Sequence, residues 1–292
     1  MCDELTEKDT QQLILNGKIN RRDFSKISAA ALMAALLPKT AFAVDVTEKN
    51  VNVAMAEGVS DCYFVHPASG KHPAVILWPD IKGLRLAYKA LGKKLAEAGY
   101  SVLVINHYYR DAKAPVVASD ASFADPDTMA FLRNLASKLT PQAITSDAKA
   151  YIDFLDKQAP VDLNRKIGTF GYCMGGGDSM RAAAAVPSRV GAVASFHGGN
   201  LEISDGPDST HHLIPKSKAQ VLHAIAENDN ERSPEIKNIL KTAYKDAGLP
   251  AEIEVYKDTL HGWCTPDYSG YNELQAQKAW SRLLHLFKVA LV

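Results

Sequence analysis

Apolar residues alternate with polar or small ones from Val51 to Met55, and a second short run, Asp61 to Val65, follows the break at Gly58. The two predict an opening antiparallel pair of strands. The pattern then changes: Pro73 to Trp78 and Tyr100 to Ile105 are continuous apolar runs, as required of strands buried on both faces. Between them Leu84, Ala87, Tyr88, Leu91, Leu95 and Ala98 fall at helical spacing, and Gly99 closes that helix. Strand, amphipathic helix and strand in about thirty-five residues make a βαβ unit, which predicts a mainly parallel sheet. The alternation continues with a helix over 142–157, a strand over 166–170, strands over 190–196 and 220–226, a helix over 234–247 and a strand over 252–256. Trp280, Leu283, Leu284, Phe287 and Leu291 form one apolar face of a final helix. The expected fold class is α/β, a mostly parallel central sheet with helices on both faces, in one domain over residues 44–292. Residues 111–141 fit no single element, because Pro115 and Pro126 argue against one long helix. An insertion of this kind after a strand suits a wall or cap over a site.

Composition narrows the functional classes. Of 292 residues 47% are hydrophobic and 23% charged, and Lys+Arg balances Asp+Glu at 33 each. A neutral globular chain offers no electrostatic grip on nucleic acid or an anionic membrane surface. The four cysteines form no CxxC pair, and no HExxH, GxGxxG or P-loop occurs, so no metal and no cofactor is expected. His211-His212 is read as loop decoration.

The amino terminus carries its own message. Paired arginines in Asn20-Arg21-Arg22-Asp23-Phe24-Ser25-Lys26 precede a modest apolar run, Ile27 to Leu37, and then Ala41-Phe42-Ala43. A basic region, a hydrophobic stretch too short to span a bilayer and a small-x-small cleavage site are the parts of a twin-arginine export signal over residues 1–43. The expected location is periplasmic or exported, with the export machinery as a partner and no stable membrane insertion after processing. An uncleaved segment that tethers the protein is the alternative. Removal of Cys2 with the signal leaves Cys62, Cys173 and Cys264, and a Cys62–Cys264 disulfide with Cys173 free is conceivable.

Candidate chemistry lies where strands end, since ligands of open α/β sheets gather at the carboxyl ends of the strands. Gly171-Tyr172-Cys173-Met174-Gly175-Gly176-Gly177 links a strand to a helix through a glycine-flanked corner, the nucleophile-elbow pattern with sulfur in place of a hydroxyl. Asp80, Asp229 and His261 also follow predicted strands. A thiol with a pKa of about 8.5 needs a base or a positive dipole beside it to react as thiolate. The helix amino terminus and His261 supply these, and Asp229 can fix the imidazole tautomer. Singly, Cys173 could be a packing residue, Asp229 a cap for the helix near Pro234, and Glu227, Glu202 or Asp205 the acid. Nucleophile, acid and histidine in that order are what the chemistry expects.

With these residues in place, the chain from about Val51 to its end resembles the dienelactone hydrolase family (carboxymethylenebutenolidases), cysteine-nucleophile α/β-hydrolases. The resemblance rests on Gly171-Tyr172-Cys173-Met174-Gly175-Gly176, on Asp229 and on Leu260-His261-Gly262-Trp263. It implies Cys173 as nucleophile, His261 as base and then acid, Asp229 as orienting acid, and the backbone N–H groups of Ile81 and Met174 as oxyanion hole. It implies a small ester or lactone as substrate, cleaved through an acyl-thioester. Asp80 stands where the founding enzymes carry a glutamate that modulates the nucleophile, and Thr265 where they carry an arginine that grips a carboxylate. Lys82, Arg85 and Arg110 could supply a cation instead, although solvation at the surface is the plainer expectation for them. Another cysteine-dependent α/β enzyme (amidotransferase-like or deglycase-like) and a catalytically silent binding protein are the alternatives.

Overall fold

The computed structural model describes residues 44–118, 121–198, 203, 206 and 208–292. The export signal over 1–43 and the competing acids Glu202 and Asp205 lie outside them.

Eight strands form one sheet: β1 (Val46–Met55), β2 (Gly58–Pro67), β3 (Ala74–Trp78), β4 (Ser101–Val104), β5 (Ile167–Tyr172), β6 (Val190–Phe196), β7 (Gln220–Ala226) and β8 (Ala251–Tyr256). Their order across the sheet is β1-β2-β4-β3-β5-β6-β7-β8. β1 and β2 pair as an antiparallel hairpin, β2 runs antiparallel to β4, and every later pairing is parallel. The fully apolar runs became the central strands because helices cover both faces and leave no polar side. Alternate residues divide between the two layers. Val75 and Leu77 join the core packed on α1 (Leu86–Glu97) and the carboxyl-terminal α7 (Glu273–Ala290). Ala74, Ile76 and Trp78 join the opposite core, with Tyr151 and Ile152 of α3 (Pro141–Leu155) and Met180 of α4 (Met174–Ala185). Among the described residues no helix is long and apolar enough to cross a membrane.

Several local expectations change. The opening strands run longer than their alternating segments, because hairpin pairing extends from Met55↔Gly58 to Val46↔Pro67 and recruits flanking polar residues. The 111–141 insertion contains a helix, α2 (Pro126–Ser137), started by Pro126 in its first turn and by Asp125, whose side chain accepts from Thr128 N–H. His211 and His212 sit in a short 3₁₀ helix (Thr210–Lys216). Asp229 lies in a one-and-a-half-turn helix, α5 (Glu227–Arg232), ahead of α6 (Ile236–Asp246). The conceivable disulfide is absent: Cys62 and Cys264 are free and buried. They belong to the two cores on opposite faces of the sheet, so the sheet itself separates them.

Candidate active site

The corner between β5 and α4 is tight enough to dictate its own sequence. Cys173 adopts φ 55°, ψ −125°, a strained conformation for a residue with a side chain. A β-carbon on Gly171 would lie 1.9 Å from the carbonyl oxygen of Gly175, and one on Gly175 would lie 2.4 Å from that of Trp78. Only glycine lets the first turn of α4 drop onto the end of β3. Cys173 N–H donates to Phe196 O (3.0 Å) and Gly176 N–H to Cys173 O (3.0 Å), which fixes the cysteine at the helix amino terminus. Its side chain is buried in an apolar cluster with Ile81, Phe123, Met129, Leu132 and Tyr268, and Met174 packs against it. Phe123, Met129 and Leu132 come from the insertion, which therefore does cover the cysteine.

His261 stands in the loop after β8, held by its own N–H donating to Asn228 Oδ1 (2.9 Å). Two further bonds tie this loop to the β7–α5 junction: Glu227 N–H donates to Thr259 Oγ1 (3.1 Å), and Asp258 N–H donates to Glu227 Oε2 (2.9 Å). Glu227 is thereby a loop brace rather than the acid that orients histidine. Asp229 Oδ2 accepts from His261 Nδ1–H at 2.8 Å, with both side chains almost fully buried. Burial opposes charge on the imidazole, but Asp229 and Cys173 outweigh it and carry its pKa up to about 10. Cys173 acts on the ring both by charge and by hydrogen bonding. Cysteine, histidine and aspartate thus form one continuous line from the elbow to the interior.

Opposite this line lies the turn after β3. Gly83 N–H donates to Asp80 O (2.9 Å), Lys82 N–H donates to Asp80 Oδ1 (2.9 Å), and Tyr108 Oη donates to the Ile81 carbonyl (2.9 Å) while lying 3.7 Å from Met174 Sδ. The two candidate oxyanion residues, Ile81 and Met174, therefore share Tyr108 as a spacer. Asp80 is fully buried. Arg85 grips both of its oxygens (Nη1–Oδ1 2.7 Å, Nη2–Oδ2 2.9 Å) and also reaches Asp267 (Nε–Oδ2 2.6 Å). Burial would raise the Asp80 pKa, but Arg85 wins and holds it down at about 2.

Arg85 and Lys82 are buried rather than solvated, contrary to the sequence expectation. Arg85 spans two carboxylates, and Lys82 Nζ donates to Ala121 O (2.7 Å) over the Phe123 and Tyr268 rings. Arg110 pairs with Asp147 and Glu57. Thr265 is buried within the loop that follows His261.

Two histidines were passed over in the sequence although the strand-end rule reaches them. His107 follows β4 and His197 follows β6, so six strand ends bear Asp80, His107, Cys173, His197, Asp229 and His261. His197 takes φ 48° and presents its ring edge-to-face to His261, with centroids 4.8 Å apart. Burial pushes both imidazoles toward the neutral form, His107 to about 3, and His261 adds to the effect on His197. Among the described residues no group of three His, Cys, Asp or Glu side chains is placed to hold a metal ion.

Comparison with known proteins agrees with this layout. Residues 60–291 match the dienelactone hydrolase family. Proteins assigned as carboxymethylenebutenolidases from Salmonella typhi (27% identical, covering 77% of this chain and 81% of theirs) and Escherichia coli (26%, covering 76% and 78%) are relatives in sequence. Among solved structures, proteins described as dienelactone hydrolases from Klebsiella pneumoniae (TM-score 0.73, 21% identity, 84% of this chain and 99% of that one) and Anabaena variabilis (TM-score 0.62, 18%, 85% and 99%) share the α/β-hydrolase fold.

Proposed function

The chain belongs to the dienelactone hydrolase family and so is a hydrolase of the ester and lactone class; we propose that it works through a Cys173–His261–Asp229 triad and an acyl-thioester. The observation that carries the proposal is the strained, buried Cys173 at the end of a 2.8 Å His261–Asp229 pair. A raised imidazole pKa beside a thiol favours the thiolate–imidazolium form, which is the attacking species. Cys173 Sγ adds to the acyl carbon, and the carbonyl electrons move onto oxygen facing the N–H groups of Ile81 and Met174. Two aimed donors of this kind contribute a few kcal/mol each, on the order of 2.7–4, in the water-poor site. Collapse breaks the acyl–oxygen bond, and imidazolium Nε2–H protonates the departing alkoxide. Neutral His261 then takes a proton from water, whose oxygen attacks the thioester, and returns that proton to the cysteine sulfur as the carboxylic acid leaves. Asp229 keeps the imidazole in the tautomer that both steps need. Asp80 modulates the nucleophile from a distance. Fixed by Arg85, it holds the turn that presents Ile81 instead of reaching for the thiol.

The substrate class is small carboxylic esters or lactones, and the chemistry calls for no cofactor. Steady-state hydrolysis of small aryl esters and lactones tests the triad. Cys173→Ala is expected to lower kcat by at least 10³-fold, on the scale of removing a triad member; a variant with near wild-type turnover refutes the mechanism.

Export in the folded state belongs to the same proposal, supported by the order of Arg21-Arg22, the apolar run and Ala41-Phe42-Ala43. Mass spectrometry of the secreted or periplasmic protein is expected to find Val44 as the first residue. An intact amino terminus in the cytoplasm contradicts it.

A further inference from the structure

Buried histidines in this fold come in two kinds. His223 is satisfied, with Nε2 3.0 Å from Tyr244 Oη in the core. His197 is as deeply buried, at 1% exposure, yet neither ring nitrogen meets a hydrogen-bond partner among the described residues. Leaving a buried polar group unsatisfied costs stability, so a histidine kept only for packing would be better replaced by an apolar ring. Its position explains why it is kept. The peptide of Phe196 accepts from Cys173 N–H, the ring stands 4.8 Å from that of His261, and Tyr172 closes the other side at 5.8 Å. The His197 N–H still donates to Ala224 O (2.8 Å) of β7, and the left-handed backbone, φ 48°, turns the chain out of the sheet immediately after it. Thr265, whose Oγ1 is likewise buried without a partner among the described residues, follows His261 by one turn of the same loop.

We propose that His197 is a specificity-determining residue that hydrogen-bonds an uncharged oxygen of the substrate, a hydroxyl or carbonyl beside the scissile ester. The inference rests on the reading of Cys173 as nucleophile. A neutral imidazole offers one N–H donor and one bare nitrogen acceptor, which together match a hydroxyl, whereas a carboxylate can use only the donor. The imidazolium that forms on His261 during catalysis keeps His197 neutral at that distance. The cations on this rim are committed elsewhere, Arg85 to Asp80 and Asp267 and Lys82 to Ala121 O and two aromatic rings. The site is therefore built for a neutral 2-hydroxy ester or oxygenated lactone and not for an anion.

The test compares kcat/KM for three matched aryl esters, of lactate, of propionate and of succinate as the free monoacid, in wild type, His197→Phe and His197→Asn. Wild type is expected to favour lactate over propionate by about tenfold or more, the value of one well-placed hydrogen bond, and to use the succinate ester worst. His197→Phe is expected to lower the lactate rate far more than the propionate rate and so bring their ratio to near one, and His197→Asn, which keeps a donor and an acceptor, to restore part of it. A ratio that survives in His197→Phe, a wild type without a hydroxyl preference, or a preference for the anionic ester overturns the inference while leaving the triad intact. A wild type that hydrolyses none of the three removes the triad reading as well.

Discussion

Asp80 and Asp178 are both buried, yet the protein pushes their pKa values in opposite directions. Burial raises both. Asp80 has a bidentate arginine that more than compensates, and its pKa falls to about 2. Asp178 lies in the glycine-rich turns of α4 with Oδ2 unpartnered among the described residues; burial raises its pKa, Arg181 only partly offsets this, and Cys173 adds to the rise, so it goes from 3.8 to about 7. Between these values the folded state binds a proton that the unfolded chain has released. Stability from this group is thus complete below about pH 4 and is lost as pH rises through 7. Asp178→Asn imitates the protonated acid at every pH. Denaturant titration is expected to find the variant more stable than wild type by on the order of 4 kcal/mol at pH 8 and nearly equal to it at pH 4. An equal effect at both pH values, or destabilisation at pH 8, would show that the carboxylate is held by contacts other than these.

At the level of elements, legibility followed the apolar pattern. The five central parallel strands were readable because residues such as Val75 to Trp78 are buried on both faces and leave an unbroken run. α5 was not readable: Glu227–Arg232 has no apolar stripe, and it forms because its first turn is stitched to the His261 loop through Asn228. α2 was hidden for a related reason, since it buries only Met129, Leu132 and Leu135, too thin a stripe to stand out beside two prolines. The start of α4 was obscured by three glycines, poor helix formers, the first of which, Gly175, leaves room for the backbone at the end of β3 that a side chain would strike. Strand ends located Cys173, Asp229 and His261, and the same rule applied without exception would have found His107 and His197. The burial of Arg85 was beyond sequence, because Asp267, which helps to hold it, stands 182 residues away.

Taken as a whole, the molecule places Asp80, His107, Cys173, His197, Asp229 and His261 at strand ends along one rim of a sheet whose two faces are sealed by apolar cores, and its net charge is zero. The insertion covers the cysteine with Phe123, Met129 and Leu132, so the proposed acyl transfer would take place away from bulk water, where thiolate, imidazolium and oxyanion interact most strongly. The fold and family identify ester and lactone hydrolysis, and the local residues decide which esters. The central claim is a covalent bond to one sulfur. An aryl ester with a hindered acyl group, whose thioester is slow to react with water, can be mixed with the protein, quenched in acid and examined by intact and peptide mass spectrometry. The account predicts a mass increase equal to one acyl group on the peptide containing Cys173, removed by neutral hydroxylamine and missing from Cys173→Ala. Release of the aryl alcohol at wild-type rate with no acyl group on Cys173, or with the acyl group on another residue, would contradict it.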